Sequence, residues 1–220
     1  MKKLVLFSLV ILIALASTVS AMGNKPKEEP KYKLEILKME IVPAATVTMT
    51  GKSILMVIAP KDFQDTEFAK PKEIFEARGI KVTVASSTTK TALGMNGMKV
   101  KPDAAISDVR ASDYDAVVFI GGDGAVVYEN DPQALALANE AHKNDKVIAA
   151  ICISPMILAK AGLLEGKKAT VSPYGASALK KAGATYTGKN VEVDGKIITG
   201  KGPAASEEFG KAIVGALQKD

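Results

Sequence analysis

The sequence predicts an α/β protein, a three-layer sandwich around a mainly parallel sheet. Short continuous apolar runs such as Ile54–Ala59 and Val147–Ile151 have the length and composition of strands buried on both faces. Between them lie stretches with apolar residues at helical spacing, such as Thr66–Arg78 and Pro132–Lys143. Chemically capable residues follow the strands, where a sheet of this kind opens its ligand crevice.

The elements follow in order. Ile54–Ala59 is the first strand. Thr66–Arg78 is a helix carrying Phe68, Pro71, Ile74, Phe75 and Ala77 on its apolar side, closed by Gly79. Ile80–Ala85 is the next strand. Asp115–Ile120 is another, ending in Gly121-Gly122-Asp123-Gly124. Pro132–Lys143 is a helix with Pro132 in its first turn. Val147–Ile151 runs as a strand straight into Cys152, and Ser154–Ala161 is the helix after it, stopped at Gly162. Lys168–Val171 is a strand and Gly175–Ala182 a helix. Val191–Thr199 is a hairpin on an Asp194-Gly195 turn. Ser206–Leu217 closes the chain as a helix, with Ser206 as its N-cap and Glu207 and Glu208 in its first turn. Strands alternating with helices give a flavodoxin-like arrangement.

The ends of the chain and its composition bound the function. The chain has 220 residues, 47% hydrophobic and 24% charged, which suits one domain plus a short additional segment. Residues 1–21 form a signal peptide: a basic start at Lys2-Lys3, an apolar run from Leu4 to Ala16, and small residues Val19 and Ala21 placed for cleavage. The run is shorter than the roughly 20 residues of a spanning helix, although an uncleaved N-terminal anchor is the alternative. Residues 22–52 form a tether, rich in Lys, Glu and Pro at first, with a possible extra strand around Leu34, Ile36, Ile41 and Val47 that Pro43 interrupts. Residues 53–220 form the folded domain. The expected location is periplasmic or extracellular, with no stable membrane insertion after cleavage. The net charge of +5 comes from scattered lysines interleaved with acids, a solvated surface rather than a nucleic-acid footprint.

One cysteine excludes an internal disulfide. Cys152 ends a buried strand and begins a helix, so its side chain projects into the crevice as at a nucleophile elbow. The helix N-terminus is expected to lower its pKa; an inert buried cysteine is the alternative. Glu67 follows the first strand, and the crevice can bring it to the thiol, where like charge and burial would favour its protonated form. It could then hydrogen-bond to sulfur or move a substrate proton, or it could merely complement a helix dipole. Gly121 and Gly122 could turn backbone N–H groups toward an oxyanion or carboxylate, or form a plain turn. His142, the single histidine, sits late in a polar helical stretch and is expected to be exposed. Neither a Cys-His dyad, a metal site nor a cofactor is expected.

These residues together resemble the DJ-1/PfpI family from about Ser53 onward. The resemblance is carried by the Val147–Cys152 elbow, by Glu67, and by the strand and turn Asp115–Gly122. Support comes from the spacing of Gly94, Gly97, Val100 and Asp103 and from the ending Asp194–Pro203, which is closer to the DJ-1 branch than to the protease branch. The resemblance implies a flavodoxin-like fold, a homodimer and a small-molecule substrate or ligand. It implies Cys152 as nucleophile or oxidisable thiol, Glu67 as its protonated partner and general acid/base, and the N–H groups of Gly122 and Ile153 in an anion hole. Three positions depart from the family. Ile153 replaces the histidine that follows the cysteine in the protease-like branch. Ser172, before Pro173, stands where the DJ-1 branch has histidine. Ile120 replaces a proline. With no imidazole to activate the thiol, peptide hydrolysis is not expected. Chemistry needing only Cys and Glu stays open: action on small reactive carbonyls, of glyoxalase or deglycase type. The alternatives are a redox-sensing or ligand-binding protein without catalysis.

Overall fold

The computed structural model describes residues 48–219. The expected signal peptide and all but the last residues of the tether lie outside them. The strands are β1 (Ser53–Val57), β2 (Lys61–Phe63), β3 (Lys81–Ser86), β4 (Ala92–Gly94), β5 (Lys99–Val100), β6 (Ala104–Ala105), β7 (Ala116–Phe119), β8 (Val147–Ile151), β9 (Lys168–Ala169), β10 (Thr185–Tyr186), β11 (Val191–Asp194) and β12 (Ile197–Gly200). The helices are α1 (Asp65–Ala77), α2 (Pro132–Lys143), α3 (Pro155–Lys160), α4 (Ala176–Lys181) and α5 (Ser206–Leu217).

The main sheet has seven strands in the order β11-β12-β8-β7-β1-β3-β6. All pairs are parallel except β11 with β12. Every residue of β7 and β8 is buried, which is why these strands read as unbroken apolar runs. Helix α1 packs against α5 and α2 against α3, giving two helical layers about the sheet, the flavodoxin-like sandwich that the alternation of elements predicts.

The chain leaves β1 for β3 on one side and later returns to β7 on the other. Strand order therefore reverses between β1 and β7, and the crevice opens at their carboxyl ends. Register levels those ends: Val57 pairs with Phe119, and Phe119 with Ala150. Two residues beyond the last two lie Gly121 and Cys152, so both emerge at the same height.

Three details differ from the sequence reading. A small second sheet, β2-β4-β5, joins the segment after β1 to the hairpin that follows β3. The Asp65 carboxylate pins its hairpin by accepting from the N–H groups of Asn96 (2.9 Å) and Met98 (2.9 Å). The β11–β12 turn centres on Gly195-Lys196, with Asp194 paired to Ile197. Ser206 is not the N-cap of α5 but its first helical residue. A 3-10 turn at Pro203–Ala205 precedes it, and the Ser206 hydroxyl donates to the Pro203 carbonyl at 2.7 Å.

Candidate active site

Cys152 occupies a left-handed backbone conformation, φ 65°. For a residue with a Cβ this stores about 1–3 kcal/mol, and the surroundings must over-determine it. They do so on both sides. The Cys152 N–H donates to the Gly200 carbonyl at the end of β12 (2.9 Å), and its carbonyl accepts from the Ser172 N–H (2.8 Å). The Ser154 hydroxyl, at the start of α3, donates to the Ile120 carbonyl beyond β7 (2.9 Å). The turn thus joins β8, β12 and β7 at one point, and the cysteine side chain stands half-buried above it.

Glu67 lies in the first turn of α1 with 0% of its surface exposed. Gln64 caps that turn by accepting the Glu67 N–H on its side-chain oxygen (2.8 Å). The Glu67 Oε2 accepts from the Gly121 N–H at 3.1 Å. The carboxyl's remaining polar neighbour is the Cys152 thiol. Oε1 is fully buried without an aligned hydrogen bond. A buried carboxylate oxygen with no donor is costly, and a proton there removes the cost. Burial accordingly raises the Glu67 pKa from 4.5 to about 7, against the opposing hydrogen bonds from Cys152 and Gly121.

Gly121 fits between the two groups because it has no side chain. A Cβ there would collide with the Cys152 Cβ and the Glu67 Oε2. Gly122, at φ 106°, brings its backbone against Asp62 and Gln64, so the loops after β1 and β7 are stitched together.

The thiol departs from the sequence expectation of a lowered pKa. Burial first, and then the Glu67 charge, push Cys152 up to about 11, while the N–H groups of Gly122 and Ile153 hydrogen-bond the sulfur and partly offset the rise. The six-residue α3 does not reverse this balance. The resting site holds a thiol beside a carboxyl group that titrates near neutrality.

Cys152 and Ile153 line a cavity of about 560 Å³, together with Gly122, Asp123, Val126, Ser172, Pro173, Tyr174, Lys201 and Pro203. That volume suits a small organic molecule. The structure therefore brings together Cys152, Glu67, Gly121, Gly122 and Ile153. His142 stays apart from them, exposed in the last turn of α2. Among the described residues no cluster of three or more His, Cys, Asp or Glu could hold a metal. The sequence reading missed Lys201 and Tyr174 as cavity residues. Tyr174, 94% exposed at the rim, is conspicuous only in three dimensions.

A parallel α/β sandwich with a strained cysteine at the carboxyl end of β8 and a buried glutamate beside it defines a class of cysteine-elbow proteins. The chain belongs to the DJ-1/PfpI family, whose pattern matches residues 52–216. It is 44% identical over 175 residues to an uncharacterised protein of Methanocaldococcus jannaschii, covering 78% of this chain and 85% of that one. It is 33% identical over 165 residues to YraA of Bacillus subtilis, named as a proposed cysteine protease, covering 74% of this chain and 98% of that one. Among solved structures, a ThiJ/PfpI domain protein of Brachyspira murdochii superposes with a TM-score of 0.75 at 36% identity, covering 77% of this chain and 99% of that one.

Proposed function

We propose that Cys152 and Glu67 act together on small reactive carbonyls such as methylglyoxal. The observation that carries this reading is the buried Glu67 carboxyl, with its pKa raised to about 7, next to the only thiol of the chain at the floor of a small cavity. A carboxyl group that is half ionised at neutral pH can take a proton in one step and return it in the next. That property substitutes for the missing thiolate and the missing imidazole.

In the proposed reaction the Cys152 sulfur adds to the aldehyde carbon while the thiol proton passes to the Glu67 carboxylate. Glu67 passes that proton to the former carbonyl oxygen, which gives a hemithioacetal and restores the carboxylate. The Glu67 carboxylate then takes the proton from that carbon and returns it to the neighbouring carbonyl carbon, while the hydroxyl proton passes to the neighbouring carbonyl oxygen, leaving the thioester of a 2-hydroxy acid on the cysteine. Water cleaves the thioester to a 2-hydroxy acid and the free thiol. The Gly122 and Ile153 N–H groups, which hydrogen-bond the sulfur, would stabilise the oxyanion that forms beside it. Peptide hydrolysis fits less well, because no imidazole stands near the thiol to protonate a leaving amine.

The test is lactate formation from methylglyoxal. Wild-type protein should turn it over with a rate that rises with pH through about 7 as Glu67 ionises. Cys152→Ser should abolish turnover, and Glu67→Gln should lower it at least about 100-fold and remove the pH dependence. Absence of lactate from the wild type would sink the proposal.

A second reading, a redox sensor, is favoured by the same N–H pair, which could hold the oxygens of a sulfinate. It requires selective sulfinate formation under mild peroxide, lost in Glu67→Leu, with no methylglyoxal turnover. The proposal extends to a homodimer and to export after cleavage at Ala21. Among the described residues no helix is long and apolar enough to cross a membrane.

A further inference from the structure

We infer that the Cys152 cavity is one lobe of a two-lobed cleft, and that the second lobe binds the carboxylate tail of an oxo acid through Lys201. The inference rests on the reading of Cys152 and Glu67 as a carbonyl site, and it narrows the substrate class to carbonyl compounds that carry a carboxylate.

A second hollow of about 350 Å³ adjoins the Cys152 cavity, and the two share Pro173, Lys201 and Pro203 as a common wall. The second hollow adds Asn190 and Gly202, and among the described residues no acidic residue lines it. Lys201 directly follows β12, the strand whose last carbonyl holds the Cys152 N–H, so its backbone is fixed relative to the thiol. Its own N–H donates to the Asn190 carbonyl at 2.8 Å, which fixes the lysine to the chain entering β11.

The half-buried Lys201 ammonium donates to the Gly188 carbonyl at 3.3 Å. That uses one of three donors. The acids on neighbouring β11 are engaged elsewhere: Glu192 with Lys189 at 3.1 Å and Asp194 with Lys167 at 3.5 Å. Asp123 lines the cysteine lobe only, as an exposed group on the loop after β7. Among the described residues the second lobe is thus a small concavity lined by Lys201 and Asn190 and by no acidic residue. A half-buried ammonium attracts an anion more strongly than a surface lysine does, and the hydrogen bond to it is charge-assisted. Methylglyoxal, being neutral, would leave this lobe unused.

The experiment compares two alkylating ketones on the full chain, 3-bromopyruvate and bromoacetone, in which a carboxylate and a methyl group occupy the same position, and each reagent is compared across protein variants. In each, the Cys152 sulfur bonds to the CH₂ carbon, bromide leaves with its electron pair, and the thiol proton goes to Glu67 or water. Alkylation reads the cleft without requiring turnover, so failure of the inference and failure of the carbonyl chemistry are separable.

Lys201→Met should slow alkylation by bromopyruvate about tenfold, and Lys201→Arg should restore most of the rate. Bromoacetone should react with all three proteins within about twofold, which also verifies that the variants are folded. The bromopyruvate advantage of the wild type should shrink in about 0.5 M salt. Equal slowing of both reagents in Lys201→Met, or no slowing of either, would overturn the inference.

Discussion

The proposed chemistry of Cys152 and Glu67 depends on where one proton resides. Glu67 is buried with an unmatched Oε1, and its pKa rises from 4.5 to about 7. Folding therefore favours the protonated form, and stability is linked to pH. The folded state holds more protons than the unfolded state between these values, so the contribution is complete below 4.5 and is lost as pH rises through about 7. The loss amounts to about 3 kcal/mol at one pKa unit per 1.36 kcal/mol. Glu67→Gln should abolish that slope, and above neutrality it should be more stable than the wild type. Urea midpoints from pH 4 to pH 8 measure this, and parallel curves for the two proteins would refute it. Cys152, Gly121, Gly122 and Glu67 were legible in the sequence because each follows an apolar run: Cys152 after β8, Gly121 and Gly122 after β7, Glu67 after β1. The direction of the thiol's shift was not legible. A helix N-terminus is visible in a sequence, but the depth of burial and an approaching carboxylate from another loop are not.

Elements position these residues, and their ends matter more than their middles. Helix α2 begins on Asp131, whose carboxylate accepts from the N–H groups of Gln133 and Ala134, each at 2.9 Å, with Pro132 in the first helical position. The hydrogen bonds of Asp131 go to Tyr128, Gln133, Ala134 and Leu135, none of which lines the Cys152 cavity. Asp131→Ala should cost about 1 kcal/mol of stability and leave methylglyoxal turnover unchanged within twofold. Thermal unfolding beside the lactate assay checks both, and a large loss of turnover in a folded variant would contradict the separation of scaffold from site. Long elements such as α1, α2, β8 and α5 were readable from periodicity to within about two residues. The β2-β4-β5 sheet was not, because strands of two or three residues have no measurable period and depend on the Asp65 contacts across the hairpin. At Ser206 the composition of a cap was present, but the chain had already entered a 3-10 turn at Pro203.

On the scale of the whole molecule, the strand order carries the function. Reversal between β1 and β7 opens the sheet's carboxyl edge, and matching registers bring the β7 and β8 loops out level. Alternating strands and helices announced this arrangement. The adjacency of Lys201 to Cys152 follows instead from β12 pairing beside β8, a long-range fact that no local pattern encodes. The central claim is that Cys152 and Glu67 form one coupled site. Because the chain has a single cysteine, labelling with [β-¹³C]cysteine gives one NMR resonance, whose shift against pH reports both ionisations. The account predicts a small inflection near 7 from Glu67 and a main thiol step displaced upward toward about 11. In Glu67→Gln the first inflection should vanish and the second should move down toward the ordinary thiol range. A single step at an ordinary thiol pKa, the same in both proteins, would contradict the coupling.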